Sequence, residues 1–262
     1  MKSHILKILN QIQMEYEVKI LYACEAGSRT WGIASDESDY DVRFIYIHKT
    51  EWYLSIDQKR DVLEIPKHDK ILIPVNPVVD MSGWELTKAL RLFRKSNPAL
   101  LEWLHSNIIY YEDNLFINKM KQIEHSIFSP IPSIYQYVKV ARGNFKTIQE
   151  KEPHLKTYLN VIRPLLMAKS IVNHHKMISL DLNDLISNVL PTNDLKRSIE
   201  QLIKMKSSGQ KLTKQIRDID KFIETEIQYL EQYVSNLESD ITNPTPQLNQ
   251  LFRETLTKTW HN

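Results

Sequence analysis

The stretch of sequence that decides the fold is Gly27-Ser28-Arg29-Thr30-Trp31-Gly32-Ile33-Ala34-Ser35-Asp36-Glu37-Ser38-Asp39-Tyr40-Asp41-Val42. It begins with a small, flexible turn that is able to hold phosphates. It ends with two acidic residues in an Asp-x-Asp arrangement that are able to hold a divalent metal. Few structural roles require this combination within so short a span, whereas the transfer of a phosphate-linked group requires all of it.

The turn follows a predicted strand. Residues 18–24 are rich in Val, Ile and Tyr and contain no strand breaker, which is typical of a β-strand. Gly27 permits backbone conformations closed to other residues and allows a phosphate to approach the chain closely. A short helix over residues 28–34 would add free N–H groups that favour an anion. The alternative is an ordinary strand-to-helix turn, where Gly and Ser are common.

The two carboxylates begin a second predicted strand, residues 41–47. Asp39 and Asp41 project from the same face of an extended chain, because side chains alternate with a period of two. Two carboxylates on one face repel each other unless a cation lies between them, and Mg²⁺ prefers oxygen ligands. The alternative is a solvated acidic turn at the start of a strand.

A third carboxylate ends a short apolar run, Pro77-Val78-Val79-Asp80. We expect a helix to follow at once, with Ser82 as its capping residue. An unpaired Asp is costly to bury at the end of an apolar strand. Asp80 therefore either caps that helix or joins Asp39 and Asp41 around metal.

The order of these motifs resembles the nucleotidyltransferase fold of the DNA polymerase beta superfamily. Small members of that superfamily carry Gly-Ser-x-x-x-Gly-x-x-x-x-x-Ser-Asp-x-Asp, and the matching residues here are Gly27, Ser28, Gly32, Ser38, Asp39 and Asp41. Trp31 departs from the pattern, because an Arg commonly precedes the second Gly. This departure at Trp31 indicates a narrower family within the superfamily.

That group is the bacterial and phage family called the RNA repair pathway DNA polymerase beta family, to which the first hundred or so residues are similar. The segments that carry the resemblance are 24–32, 38–46, 52–55, 80–86 and 95–104, with a looser similarity at 156–164. The name of the family records a predicted role.

The resemblance implies two-metal, in-line nucleotidyl transfer. Asp39 and Asp41 would bridge two Mg²⁺ or Mn²⁺ ions, and Asp80 would complete the site for the metal that activates the acceptor hydroxyl. Gly27 and Ser28 would hold the β- and γ-phosphates of a nucleoside triphosphate (NTP) substrate.

Further residues are predicted to contact phosphate or nucleotide: Arg29, Ser38, Arg43, Lys156, Tyr158 and Arg163. Guanidinium groups suit phosphate. For Arg29 and Arg43, an ion pair with a nearby acid is an equally good alternative, and for Lys156 and Arg163 the alternative is a solvated helix surface. Trp31 either stacks on a base or braces the turn, and we favour the second interpretation.

The predicted fold class is α+β: a nucleotidyltransferase domain with a small mixed sheet over residues 1–112, followed by a helical domain over 113–262. Gly27, Gly32 and Gly83 fall in the first part, where we expect them at turns. Pro164 should kink or end its helix. An apolar stripe from Leu212 to Leu237 either forms a coiled-coil seam for dimerisation or packs within the chain, which we favour.

Composition indicates a soluble enzyme. The chain has 262 residues, 34 Lys plus Arg against 32 Asp plus Glu, and one Cys. The near-balanced charge gives no reason to expect tight duplex binding, and a single Cys excludes an internal disulfide, in agreement with a cytoplasmic location. No secretory signal or membrane-spanning run is recognisable, so no membrane partner is expected.

The leading functional hypothesis is therefore transfer of a nucleoside monophosphate from an NTP to a hydroxyl acceptor, such as an RNA end in repair or tailing. A second hypothesis keeps the chemistry but directs it to a protein (AMPylation) or to a small molecule. A third is a non-catalytic nucleotide-binding or interaction module. The intact set of Asp39, Asp41 and Asp80 argues against the third.

Overall fold

The computed structural model describes residues 1–150, 154–212, 214–237 and 243–260. Its strands form one five-stranded sheet in the order β3-β4-β2-β1-β5. The strands are β1 (Lys19–Ala26), β2 (Tyr40–Ile47), β3 (Val62–Ile65), β4 (Val79–Glu85) and β5 (Ile109–Glu112). β2 and β4 run parallel, and the other neighbouring pairs are antiparallel. The predicted α+β class with a mixed sheet is confirmed.

The helices surround the sheet and dominate the second half of the described chain. They are α1 (Lys2–Glu15), α2 (Gly27–Thr30), α3 (Thr50–Tyr53), α4 (Leu86–Arg94), α5 (Pro98–Leu104), α6 (Asn114–Ile127), α7 (Pro130–Glu150), α8 (Leu155–His174), α9 (Leu182–Val189), α10 (Asp194–Ser207), α11 (Arg217–Ser235) and α12 (Thr245–Trp260). In the described ranges every element after β5 is a helix. The division into domains 1–112 and 113–262 stays a prediction.

The two faces of the sheet pack against different parts of the chain. Val42, Phe44 and Tyr46 of β2 face the smaller core, which includes the apolar side of α1. Ile45 and Ile47 of the same strand face a larger core shared with α4 to α11. Because side chains alternate along a strand, the odd-numbered residues of β2 before Ile45 point towards the helical half.

Helix α8 lies at the centre of the larger core and is buried over most of its surface. A helix that is apolar all round is stable only when other elements enclose it. It runs through Pro164 without ending there. Ile219, Ile223 and Leu230 of α11 are buried in the same core, which confirms that the apolar stripe packs within the chain.

The segment after Asp80 differs from expectation. β4 continues to Glu85, and α4 begins only at Leu86. The cap is Glu85, whose carboxylate accepts the N–H of Thr87 at 2.8 Å, so the prediction that Ser82 caps the helix was wrong. Gly83 lies within β4 rather than in a turn.

A packing constraint explains Gly83. It lies beside Phe44 in the register of the parallel pair, and a Cβ atom on Gly83 would lie 2.1 Å from Cε2 of the Phe44 ring. Sequence periodicity gave no signal of this contact, because it joins two strands. The ring of Phe44 therefore fills the space that a side chain at position 83 would need.

We predict that Gly83→Ala lowers the free energy of unfolding by about 1–3 kcal/mol, the usual cost of overpacking a core. The control is Gly143→Ala on α7, where, beyond the backbone of the helix itself, no atom in the described part of the chain lies within 4 Å of the added methyl group. That variant should stabilise the protein by about 0.5–1 kcal/mol, because Ala is the better helix former. Urea unfolding measures both, and equal effects would contradict the packing argument.

Within the described ranges, no helix has the length and apolar character that crossing a membrane requires. The single cysteine, Cys24, is buried in the larger core. Burial raises the pKa of its thiol, which makes it unreactive.

Candidate functional site

The candidate site begins with a row of three residues across the sheet. Asp41 of β2 lies in register with Ala26 at the end of β1 on one side and with Asp80 of β4 on the other. Asp41 and Ile45 are four residues apart on β2, so their side chains lie on the same face of the sheet. The Asp41 side chain therefore points towards the helical half. The sequence-distant Asp41 and Asp80 thus become neighbours because β2 and β4 pair in parallel.

Arg43 lies between these two carboxylates. One guanidinium nitrogen is 3.1 Å from Oδ1 of Asp41, and the other is 2.9 Å from Oδ2 of Asp80. The guanidinium also donates to the backbone oxygen of Val42 at 3.0 Å. Of the two alternatives considered for Arg43, the structure therefore shows the ion pair with nearby acids.

The electrostatics of Asp41 reflect its crowded surroundings. Burial raises the pKa of Asp41, Arg43 lowers it, and the charges of Asp80 and Asp39 raise it again. Asp39 is exposed and lies just before β2. In the described part of the chain, no group of three His, Cys, Asp or Glu side chains is arranged to hold a metal ion. The structure therefore brings Asp41 and Asp80 together and leaves Asp39 at the margin.

The donor set nevertheless fits a hard divalent cation. Carboxylate oxygens are the ligands that Mg²⁺ prefers, and the Asp80 side chain is 50% exposed, so a cation has access from solvent. A positive charge already lies between Asp41 and Asp80, that of Arg43. A divalent ion at this position requires Arg43 to move aside.

The glycine turn lies directly against Asp41. Gly27 has a φ of +65°, and a Cβ atom there would lie 2.1 Å from Oδ2 of Asp41. Gly27 opens the four-residue helix α2, and the first N–H groups of a helix have no partner within it. Glycine is thus needed for both the backbone conformation and the close approach of the carboxylate.

We predict that Gly27→Ala lowers the free energy of unfolding by more than Gly209→Ala does. Gly209 has nearly the same φ, +67°, but apart from its chain neighbours no atom of the described residues lies within 4 Å of its would-be Cβ. Gly209→Ala should therefore show only the left-handed backbone cost of about 1–2 kcal/mol, whereas Gly27→Ala adds displacement of Asp41. Urea unfolding compares the two, and equal losses would show that Asp41 does not press on Gly27.

A buried acid, Glu25, also supports Asp41, and the sequence pattern did not single it out. Glu25 is fully buried and accepts the backbone N–H of Asp41 at 2.8 Å. Its second oxygen accepts the hydroxyl of Tyr110. Burial raises the pKa of Glu25. Sequence reasoning missed Glu25 because it lies inside an otherwise apolar strand, although a lone acid in such a strand is itself a signal.

We predict that Glu25→Ala lowers the free energy of unfolding by about 1–3 kcal/mol, because the N–H of Asp41 and the hydroxyl of Tyr110 lose their buried acceptor. Glu25→Gln should cost less, since its amide oxygen still accepts a hydrogen bond and no charge is buried. Thermal or urea unfolding distinguishes the two. A Gln variant as unstable as the Ala variant would contradict this account.

The loop between the turn and β2 is held by Arg29. Its guanidinium donates to the backbone oxygens of Ser38 at 2.6 Å and Asp39 at 3.1 Å and stacks on the ring of Tyr40. The Ser38 hydroxyl accepts the N–H of Ser35 at 2.9 Å. Arg29 and Ser38 therefore hold the loop in its conformation. Ser28, the second residue of α2, is half-buried.

Two lysines from the helical half approach the same region. Lys156, exposed in the first turn of α8, is close enough for its charge to lower the pKa of Asp41. Lys206 of α10 donates to the backbone oxygen of Ile33 at 2.7 Å. Burial lowers the pKa of Lys206, and the charge of Lys156 lowers it further. The two lysines thus bring positive charge into the region of the turn, and positive charge there favours an anion. Sequence reasoning missed Lys206 because it lies among other lysines of a charged helix.

Two other residues predicted to contact nucleotide, Tyr158 and Arg163, are buried within α8. Tyr158 is fully buried, and its hydroxyl donates to Asp220 at 2.6 Å and accepts the N–H of Ile216 at 3.2 Å. Arg163 is buried in an ion pair with Glu102 and stacks on Trp31, 4.2 Å from the ring centroid. The Tyr158 hydroxyl gives its only hydrogen to Asp220, so it has none to donate to a nucleotide. Trp31 braces the turn against α8.

Residues 1–254 match the RNA repair pathway DNA polymerase beta family. The uncharacterized protein YcgL of Bacillus subtilis (strain 168) is 41% identical over 263 residues, which cover 99% of this chain and 98% of that protein. The crystal structure of a nucleotidyltransferase-like protein from Exiguobacterium sibiricum 255-15 aligns over 98% of this chain and 80% of that chain, with 11% identity and a TM-score of 0.32. The chain belongs to the RNA repair pathway DNA polymerase beta family, and the resemblance stated from the sequence is confirmed.

Proposed function

Because the chain belongs to this family, we propose that it is a metal-dependent nucleotidyltransferase that moves a nucleoside monophosphate from an NTP to a hydroxyl group on an RNA end. The observation that carries the proposal is the row of Ala26, Asp41 and Asp80 in register, with Gly27 in contact with Asp41. This arrangement puts a phosphate-type turn and two carboxylates beside each other.

We propose that Asp41 and Asp80 hold the catalytic metal, with Asp39 as an additional ligand. Bound Mg²⁺ or Mn²⁺ lowers the pKa of an attacking hydroxyl and neutralises a leaving pyrophosphate. The donor chemistry and the solvent access of Asp80 support this assignment. In this proposal, Arg43 neutralises the two carboxylates until metal binds.

The protein's other residues position the substrate. In this proposal, the N–H groups at the start of α2 contact a phosphate of the NTP, and Lys156 and Lys206 add positive charge from the helical half. Phosphoryl transfer depends chiefly on such positioning and charge stabilisation. Glu25 fixes the backbone of Asp41 and so acts through it as a positioning residue.

An RNA acceptor is supported by the family to which the chain belongs. The test is to incubate the full chain with each labelled NTP, with Mg²⁺ or Mn²⁺, and with either RNA or a cell lysate. We expect label on RNA. If the label appears on a protein band instead, the acceptor is a protein rather than RNA. If the chain binds nucleotide but transfers none, a non-catalytic module is favoured.

We predict that Asp41→Asn reduces metal-dependent transfer to background while the protein remains folded, because the neutral amide is a weaker ligand for a hard cation. Circular dichroism and urea unfolding verify the fold, and the labelled transfer assay measures activity. Asp36→Asn, in the exposed part of the loop, is the matched control and should retain full activity. A folded Asp41→Asn variant with unchanged turnover would refute the assignment.

A further inference from the structure

A cavity of about 300 Å³ lies between Trp31, which follows α2, and the helices α5, α7 and α8. Its wall includes Trp31, Ala99 of α5, Asn144 of α7, and Asn160 and Arg163 of α8. Its volume is at the small end of the range for ligand pockets. Such a space suits one part of a nucleotide rather than a whole NTP.

Two chain segments link this cavity to the carboxylates. Trp31 ends α2, and its N–H donates to the backbone oxygen of Gly27 at 3.1 Å. On α8, Lys156, Asn160 and Arg163 are spaced four and three residues apart, so they lie along one helix face. Lys156 is the member whose charge reaches Asp41. Along the chain, the cavity-lining residues Trp31 and Asn160 thus lie four residues from Gly27 and from Lys156, respectively.

The distance along α8 matches the length of the ligand. Seven residues separate Lys156 from Arg163, which is about 10 Å at 1.5 Å per residue. This is the order of the distance between the phosphates and the base of an extended NTP. A triphosphate near Gly27 and Lys156 can therefore extend its base into the cavity.

The cavity wall carries an unpaired polar group. Arg163 is 3% exposed, and Glu102 accepts from its Nη1 at 3.1 Å. Its buried Nε has no hydrogen-bond partner among the described residues. A buried N–H without an acceptor is unfavourable, and a bound ligand that supplies the acceptor removes that cost.

The remaining wall suits a planar, partly polar group. Pro98, Ala99 and Pro164 provide apolar surface, whereas Asn144 and Asn160 provide amides. Nucleobases combine flat apolar faces with hydrogen-bonding edges, and amide and guanidinium side chains are their usual partners. Ring nitrogens and carbonyl oxygens of a base are acceptors for the N–H groups of Arg163.

We propose that this cavity is the nucleobase subsite of the enzyme, an inference that rests on the proposed function. The base of the bound NTP enters between α5, α7 and α8 and accepts a hydrogen bond from Arg163. Trp31, stacked on the guanidinium of Arg163, forms the part of the wall nearest the phosphates.

The test compares NTPs with inorganic tripolyphosphate, which has no base, by isothermal titration calorimetry of the full chain with Mg²⁺. Ala99→Phe fills the cavity, and Ala99→Ser is the matched control that leaves it open. We expect Ala99→Phe to weaken binding of the preferred NTP at least about tenfold, with tripolyphosphate binding unchanged. Ala99→Ser should bind both like the wild-type protein. Asn160→Leu, at a half-exposed position, repeats the test if Ala99→Phe does not fold.

The outcomes separate this inference from the proposed function. Wild-type protein that binds and transfers nucleotide, together with cavity variants of unchanged NTP affinity, would overturn the base subsite alone. Equal weakening of NTP and tripolyphosphate binding by the cavity variants would also overturn it, because the effect would then not depend on the base. Wild-type protein that binds no NTP would overturn both proposals.

Discussion

The candidate site depends on the attraction between one guanidinium group and two carboxylates. Parallel pairing of β2 with β4 brings Asp41 and Asp80 into register, and like charges at that separation repel. Arg43 contacts both carboxylates and makes the arrangement stable in the absence of metal. The repulsion between the two carboxylates favours positive charge between them, that of a divalent cation as well as that of an arginine.

The local parts of this arrangement were predictable from the sequence. Gly27 with Ser28, and Asp39 with Asp41, lie within one continuous stretch, and their chemistry depends on short-range spacing that a sequence shows directly. The strands around them follow from apolar and β-branched residues. The family assignment also comes from this region, because its motifs are specific.

The long-range parts were not predictable in the same way. The partnership of Arg43 with Asp80 depends on which strands pair, and the need for glycine at position 83 depends on the ring of Phe44 on the neighbouring strand. Lys206 reaches Ile33 only because α10 packs beside the turn. The sequence predicts a nucleotide contact for Tyr158, whereas tertiary packing buries this residue against α11.

The helical half therefore does more than support the sheet. It supplies Lys156 and Lys206 next to the turn and, in our proposal, the cavity for the base. The most direct test of the central claim is a crystal structure with Mn²⁺ and a non-hydrolysable NTP analogue. The account predicts anomalous density within coordination distance of Asp41 and Asp80, with Arg43 displaced from them. Manganese bound elsewhere, with Arg43 still bridging the two carboxylates, would contradict it.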